Sequence, residues 1–349
     1  MARDARTRAA GRPVASIARR GPAAPMRRPS RGGGRSTTGP TGADDGLIVG
    51  TVPVAARMSG VLLVLAGLTG LAALFPAYLV VGGKQLSLVT GIGGAVVALI
   101  VPVAHLLVGA VLVRGRVPKF GLAYAAVAGA LAVGQVLIEI YRGSSSTTRP
   151  AVEVIAGERV LTSGIHIRPG WVLAVVALVL VIGAGIVATV AWGRTVMEDG
   201  GALDPARSGL AGAAVLLGVV TVLSLALPPV DVPDRLVTDP TTGLQTVVTS
   251  EGPQALLERP GLALLGGLLL AGAVVLCSVV APSLRPRLAA VGGLLAIAVA
   301  VLAAALDGLR DAVASSTLEW TVPGAGLLLT GLGYVLLTVL AWRLRRAGA

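Results

Sequence analysis

Charged residues divide most of this chain into eight long uncharged runs, and their spacing constrains the fold more than any other feature. Each run holds roughly 19 to 29 residues, enough for a helix to cross about 30 Å of hydrocarbon. The runs lie between Arg57 and Lys84, Lys84 and Arg114, Lys119 and Glu139, Arg168 and Arg194, Arg207 and Asp231, Arg259 and Arg285, Arg287 and Asp307, and Glu319 and Arg343. The spacing predicts an all-α integral membrane protein with eight transmembrane helices.

The composition supports a lipid environment. Hydrophobic residues make up 54% of the chain and charged residues only 13%, whereas about 25% of the residues of a soluble domain are charged. Because so few polar groups cannot cover a water-exposed surface, lipid must surround much of the chain. Cys277 is the only cysteine, so an intrachain disulfide is excluded.

Two of the uncharged runs align with each other without a gap, over residues 118–142 and 286–310. The alignment places Glu139 on Asp307, and in both copies an arginine follows the acid at the third position. A basic start, an apolar span and an acid-x-x-Arg end therefore occur twice. We interpret this as one membrane-crossing helix used twice, which predicts a tandem 4+4 repeat of four-helix units.

Tryptophans bracket the fourth helix of each predicted unit. Trp171 and Trp192 flank helix 4, and Trp320 and Trp342 are assigned to helix 8. Their separations correspond to roughly 31 and 33 Å of helix, about one hydrocarbon thickness. Since tryptophan prefers the membrane interface, we expect all four to be interface anchors.

Lysine and arginine set the expected orientation. One set of connections carries Arg114, Arg116, Lys119, Arg194, Arg207, Arg285 and Arg287, and the opposite set carries most of the acids. The positive-inside rule then predicts a plasma-membrane protein with both termini in the cytoplasm. The expected domains are a cytoplasmic tail (1–53), a first four-helix unit (54–196), a cytoplasmic linker (197–208) and a second four-helix unit (209–349).

The N-terminal tail is rich in Arg, Pro, Gly, Ser and Thr and has no apolar period, so we expect residues 1–53 to be disordered. No apolar segment follows its basic residues closely, which argues against a secretory signal. We interpret the tail as a solvated segment that enforces orientation. The alternatives are contact with anionic lipid headgroups, at most about 1 kcal/mol per basic residue, and a later translation start at Met26 or Met58.

The net charge of +12 does not indicate a nucleic-acid partner, because most of it lies in this tail and in short loops on one side. Two outer connections have β-prone patterns. Residues 152–167 predict a short β-hairpin with a Gly turn, and residues 244–249 form a second β-prone run.

Two acid–arginine pairs, Glu139 with Arg142 and Asp307 with Arg310, share one helical face at i,i+3 spacing. They are candidates for binding a cation or relaying protons. The favoured interpretation is an ion pair at a helix end, with both side chains reaching headgroup water.

His105 is the ionisable group deepest in a predicted span, which makes it a candidate proton carrier. It lies on the order of 20 Å from the level of Glu139, and the second unit has Ala273 at the matching position. We favour a neutral histidine bonded to a neighbouring helix.

Small residues recur at every fourth position of helix 3, as Gly121, Ala125 and Gly129, and Ala289 and Gly293 match two of these positions on helix 7. Such spacing predicts a flat helix face for close crossing, and chance is the alternative in a chain so rich in Gly and Ala.

The sequence contains no P-loop, Gly-x-Ser-x-Gly elbow, His-Glu-x-x-His helix, Cys/His metal spacing or EF-hand loop. We therefore expect no catalytic residue, no cofactor and no metal. The favoured function is a non-catalytic scaffold or accessory subunit that contacts envelope components or a membrane-protein partner through its outer loops. The alternatives are a transporter or channel with a path between the two units, and an integral-membrane enzyme.

The layout resembles two tandem tetraspan units of the kind found in uncharacterised multipass membrane proteins of high-GC actinobacteria. The resemblance covers residues 58–346 and rests on topology, on the starts Pro169-Gly170 and Pro323-Gly324, and on Ala-Trp at both helix ends. The bias toward Ala, Val, Arg and Gly is typical of such proteins. The resemblance implies a polytopic plasma-membrane protein and transfers no site residue.

Cysteine accessibility tests the predicted orientation. In a Cys277→Ser background, the thiols of Arg116→Cys and Pro286→Cys are expected to stay unlabelled when intact cells meet a membrane-impermeant maleimide. Ser163→Cys, in a predicted outer connection, is the matched position that we expect to react. Labelling of position 116 or 286 from outside the cell would overturn the topology.

Overall fold

The computed structural model describes residues 47–81, 84–89, 91–144, 153–155, 158–160, 165–199, 203–232, 235–238, 245–248, 255, 261–314 and 318–346. Eight helices within these ranges are long and apolar enough to cross a membrane, which confirms that prediction and fits a multi-pass membrane protein. They are α1 (Val54–Ala72), α2 (Gly91–Val113), α3 (Pro118–Ser144), α4 (Pro169–Trp192), α5 (Asp204–Leu225), α6 (Leu262–Ser283), α7 (Arg287–Ala314) and α8 (Val322–Arg346).

Short strands occupy parts of the connections. They are β1 (Leu47–Val49), β2 (Leu79–Val81), β3 (Lys84–Leu86), β4 (Glu153–Ile155), β5 (Glu158–Val160), β6 (Ile165–Ile167), β7 (Met197–Asp199), β8 (Val230–Asp231), β9 (Arg235–Thr238), β10 (Gln245–Val248) and β11 (Glu319–Trp320). Antiparallel pairing joins β1 to β7, β2 to both β3 and β6, β4 to β5, β8 to β11, and β9 to β10.

Proline positions help to set the helix boundaries. Pro169 and Pro205 lie at the first positions of α4 and α5, where a missing N–H costs no helical hydrogen bond. Pro102 lies inside α2, which continues on both sides. Gly115 has a φ of 68° in the turn between α2 and α3, a conformation that favours glycine.

The helices α3 and α7 form the centre of the bundle. In each of them 67% of the span is buried inside the protein, against 22–44% in the other six. They pack against each other, and α3 also packs against α4 and α6 while α7 packs against α8. The remaining helices therefore present wide apolar surfaces to their surroundings, as lipid contact requires.

Glycine allows α3 to approach α6 closely. A Cβ atom on Gly134 would lie 2.5 Å from the carbonyl oxygen of Gly266, and a Cβ on Gly266 would lie 2.7 Å from the carbonyl oxygen of Gly134. No side chain larger than hydrogen fits at either position. Gly129 of α3 and Gly185 of α4 meet in the same way, at 2.8 and 2.9 Å.

The small residues predicted on helix 3 divide between two neighbours. Gly129 and the carbonyl of Ala125 lie against Gly185 of α4, whereas Gly121 lies against the side chain of Leu112 on α2. On α7, Gly293 lies against Ala281 of α6. These positions do serve close helix packing, as the spacing predicted, although the partners had to come from the fold.

Buried polar side chains join helices within the bundle. The Ser59 hydroxyl donates to the Ala184 carbonyl at 2.9 Å, linking α1 to α4. The Tyr334 hydroxyl donates to the Ala214 carbonyl at 3.1 Å and lies 2.6 Å from the Ser278 hydroxyl, linking α8, α5 and α6. Each bond satisfies a polar group that hydrocarbon could not solvate.

Two ends of the bundle can be defined by their connections. The basic end contains residues 114–117 and 284–286 and the pair β1–β7, and the loop end contains the remaining strands. The paired strands at the basic end come from segments that the sequence analysis assigned to the tail and the linker. Leu47–Val49, in the predicted disordered tail, and Met197–Asp199, in the predicted linker, form β1 and β7, and α5 begins inside that linker.

The loop end corrects two further predictions. Trp320 lies in β11 rather than on helix 8, because α8 begins only at Val322. Within the region of the predicted hairpin, β4 pairs with β5. The last part of that region, Ile165–Ile167, instead pairs with Leu79–Val81 in the connection between α1 and α2. The turn at positions 156–157, most of the N-terminal tail (residues 1–46) and the last three residues lie outside the described residues.

A pair of variants on α6 tests the α3–α6 crossing. Gly266→Val is expected to lower the unfolding free energy by about 1–3 kcal/mol or more, because the added methyl groups enter the Gly134 backbone. Gly272→Val is the matched control, since a Cβ there meets nothing within 4 Å. Thermal unfolding in detergent measures both, and equal midpoints for the two variants would contradict the crossing.

Candidate functional site

The two acid–arginine pairs predicted from the sequence lie together at the loop end. Glu139 and Arg142 are near the end of α3, and Asp307 and Arg310 are in the last two turns of α7. Because α3 and α7 pack against each other, the charge of Asp307 acts on both Glu139 and Arg142. We refer to these four residues and Asp311 as the loop-end charge cluster.

In the α7 part of the cluster, one arginine forms ion pairs with two aspartates. Arg310 Nη1 lies 2.8 Å from Asp307 Oδ1, and Arg310 Nη2 lies 2.8 Å from Asp311 Oδ1. Arg310 Nη1 also donates to the Leu88 carbonyl at 3.3 Å, which connects α7 to the segment before α2. The side chains of both aspartates are nearly half exposed, so this part resembles the predicted ion pair that reaches water.

The α3 part of the cluster is arranged differently. Glu139 is only 8% exposed, and its Oε2 accepts one long hydrogen bond, 3.4 Å from Arg142 Nη1. Among the described residues, its Oε1 is buried without a hydrogen-bond partner. Arg142 is the exposed member of the pair, with 42% of its side chain accessible. The two pairs that the sequence treats as equivalent therefore differ in burial.

Trp171 holds the end of α3 in place. Its indole Nε1 donates to the Glu139 backbone carbonyl at 2.9 Å, and its ring fills the space beside Gly143, where a Cβ would come within 2.8 Å. The contact joins the last turns of α3 to the first turn of α4. It also fixes the backbone of the buried glutamate.

The other predicted anchors have different contacts. Lys119 Nζ lies 5.7 Å from the centroid of the Trp192 ring, a cation–π contact at the basic end. Trp320 and Trp342 are 36% and 39% exposed. These positions at opposite ends of the spans suit interface residues.

His105 is not part of the loop-end charge cluster. It is buried, and its ring meets that of Tyr124 on α3 edge-on, with centroids 5.9 Å apart and planes at 76°. Tyr124 precedes Glu139 by about four turns of α3, roughly 20 Å. The structure thus keeps His105 and Glu139 apart, and ring packing against a neighbouring helix is the contact it gives this histidine.

Sequence analysis missed two residues that the fold makes important. Asp311 shares Arg310 with Asp307, and the only signal was its position next to the arginine. Arg287 is 3% exposed, and its Nη1 donates to the Leu344 carbonyl at 2.8 Å near the end of α8. The sequence placed Arg287 in a short loop, where nothing indicated its burial.

The described residues include no group of three or more His, Cys, Asp or Glu side chains that could hold a metal ion. A groove of about 370 Å³ lies between α2 and α7 beside the cluster, lined by Gly93, Gly94, Val97, Leu306, Leu309, Arg310 and Val313. A second groove, of about 330 Å³, lies between α1 and α2. Both have predominantly apolar linings.

Comparison of the chain with protein-family models, with curated proteins and with solved structures finds no match in any of the three.

Replacement of the Trp171 indole tests its role at the end of α3. Trp171→Phe is expected to cost about 1 kcal/mol of unfolding free energy through the lost hydrogen bond and to speed amide hydrogen exchange around residues 139–143. Trp320→Phe is the matched control, because the described part of the chain gives its indole no hydrogen bond. Faster exchange at the α3 end in the control alone would contradict the assignment.

Proposed function

We propose that this chain is a non-catalytic plasma-membrane scaffold or accessory subunit, built from two four-helix units, that contacts a partner through its loop end. The partner is an envelope component or another membrane protein. The observation that carries the proposal is a pair of strand hairpins at the loop end that pair only with themselves in the described structure.

Helix packing supports the division into two units. In the first quartet α1 packs against α2 and α4, and α3 packs against α4. In the second, α5 packs against α6 and α8, and α7 packs against α8. The third helix of each quartet then meets its counterpart at the centre. This pattern is what two copies related by an axis along the membrane normal would give.

The connections support the same division. A strand after the first helix pairs with a strand before the fourth helix in both quartets, as β2 with β6 and β8 with β11. The glycine that follows proline at the start of each fourth helix lies against this connection: Gly170 against the carbonyls of Pro76 and Ala77, and Gly324 against that of Pro229. The Pro-Gly starts noticed in the sequence thus have similar surroundings.

The two quartets differ where they meet. Gly134 of α3 lies against Gly266 of α6. In the gapless alignment of residues 118–142 with 286–310, the position that matches Gly134 is Leu302 of α7, and the same offset matches Gly266 to Ala98 of α2. A leucine cannot allow the backbone approach that glycine allows, and α2 and α7 leave a groove instead. We propose that the copies diverged at this contact.

The loop-end hairpins supply surfaces for a partner. Strands β9 and β10 form a two-stranded sheet of their own, and so do β4 and β5. In the described structure neither sheet is joined by another strand, so each keeps unpaired edges that can add a strand from another chain. With both termini cytoplasmic, as the basic residues predict, these hairpins would face outward.

A transporter or channel is the second candidate, and the buried Glu139 beside Asp307 is the observation that favours it. Against it stands the packing at the centre. Backbone contacts at Gly134–Gly266 and of Gly292 with the Phe120 carbonyl close the space between α3 and its neighbours α6 and α7. The apolar grooves, in turn, lie beside α2. An integral-membrane enzyme remains the third candidate, and no specific geometry favours it.

Hairpin replacement tests the proposed scaffold function. Exchange of residues 235–248 for a Gly-Ser linker is expected to release a partner that otherwise co-purifies stoichiometrically in mild detergent, while the unfolding midpoint of the chain stays unchanged. The same exchange at residues 153–160 asks which hairpin binds. A wild-type chain that purifies alone, together with saturable solute flux in reconstituted vesicles, would overturn the proposal in favour of a transporter.

A further inference from the structure

The loop-end charge cluster is unbalanced. Three carboxylates, on Glu139, Asp307 and Asp311, face two guanidinium groups, on Arg142 and Arg310. Arg310 is shared by the two aspartates at 2.8 Å each. Among the described residues, Arg142 is therefore the remaining guanidinium partner for Glu139, and these five side chains together carry one more negative than positive charge.

That charge falls on the carboxylate least able to be solvated. Glu139 is 8% exposed, and within the described structure its Oε1 is buried without a hydrogen bond. Its only guanidinium contact among the described residues is 3.4 Å long and comes from Arg142, whose side chain is 42% exposed. A buried ionised carboxylate with a free oxygen is costly, and binding one positive charge removes the cost.

We propose that the Glu139 carboxyl is a reversible proton-binding site that exchanges with water at the loop end. Protonation forms one O–H bond on a carboxylate oxygen and breaks one O–H bond of a hydronium ion, which leaves as water. Arg142, which contacts Glu139, has 42% of its side chain exposed, so the site is one side chain away from water. The site is independent of the proposed scaffold function, because it lies within the helix bundle and not on the hairpins.

A proton suits this geometry better than a metal ion. Ca²⁺ and similar cations take about six to eight oxygen ligands, whereas the nearest carboxylate on α7, Asp307, already binds Arg310 at 2.8 Å. A proton needs only one oxygen and no coordination shell.

The groups that face Glu139 from each packed element define its electrostatics. On α3 this group is Arg142, and on α7 it is Asp307, whose own partner Arg310 also binds Asp311. The α4 helix contributes Trp171, which is uncharged, and α6 presents the apolar stretch around Gly266. From β6, which also packs against α3, the titratable side chain is His166, which is exposed.

A hydrophobic carbodiimide tests the site on the full-length wild-type chain. Dicyclohexylcarbodiimide reacts with protonated carboxyl groups in apolar surroundings, and mass spectrometry locates the adduct. In lipid vesicles we expect modification at Glu139 that falls at least tenfold between about pH 5 and pH 9, and no modification at that position in Glu139→Gln. Added Na⁺, K⁺ or Ca²⁺ at constant pH should leave the labelling unchanged.

Asp307→Asn supplies a second readout that folding loss alone would not produce. Without the like charge of Asp307, the pH at which labelling is half-maximal is expected to fall. Three results would overturn the proposal: no adduct at Glu139 across this pH range, labelling that does not depend on pH, or protection by a metal cation, which would make the site a cation site. If Glu139 reacts with the carbodiimide but the chain purifies without a partner, this inference stands and the scaffold proposal fails.

Discussion

Backbone-to-backbone packing of α3 against α4 and α6 is the interaction on which the rest of the structure depends. In hydrocarbon, burial of apolar side chains does not drive helices together, so association relies on close contact and a few hydrogen bonds. Gly129 with Gly185 and Gly134 with Gly266 supply the contact, and Ser59 and Tyr334 supply hydrogen bonds. This packing fixes α3 at the centre, and α7 completes the central pair.

The position of the central pair determines the surroundings of its charges. Each of the two helices carries, near its end, an acid with an arginine three residues later, so their packing gathers both pairs at the loop end. The pairs then differ because their neighbours differ. Trp171 and α6 cover the end of α3 and bury Glu139, whereas the end of α7 lies beside a groove and leaves Asp307 and Asp311 half exposed.

Much of the fold followed from one-dimensional patterns. Charge spacing predicted the eight helices that are long and apolar enough to cross a membrane. Helix ends were less accurate, because charges mark where hydrocarbon must end and not where a helix does. Thus α3 and α7 extend past Glu139 and Asp307, and Trp320 belongs to a strand. A function for the candidate polar residues stays a prediction, and neither their burial nor the part taken by Asp311 was predictable from the sequence.

The sequence by itself determined that this chain forms apolar helices of membrane-spanning length, since hydrophobicity and charge spacing are properties of each segment alone. Only the tertiary structure decided which helices are central, which glycines meet and which of two similar carboxylates is buried. Those outcomes depend on contacts between segments far apart in the chain, and local composition does not record them. Gly134 and Gly272 look alike in the sequence, yet one touches another backbone and the other faces open space.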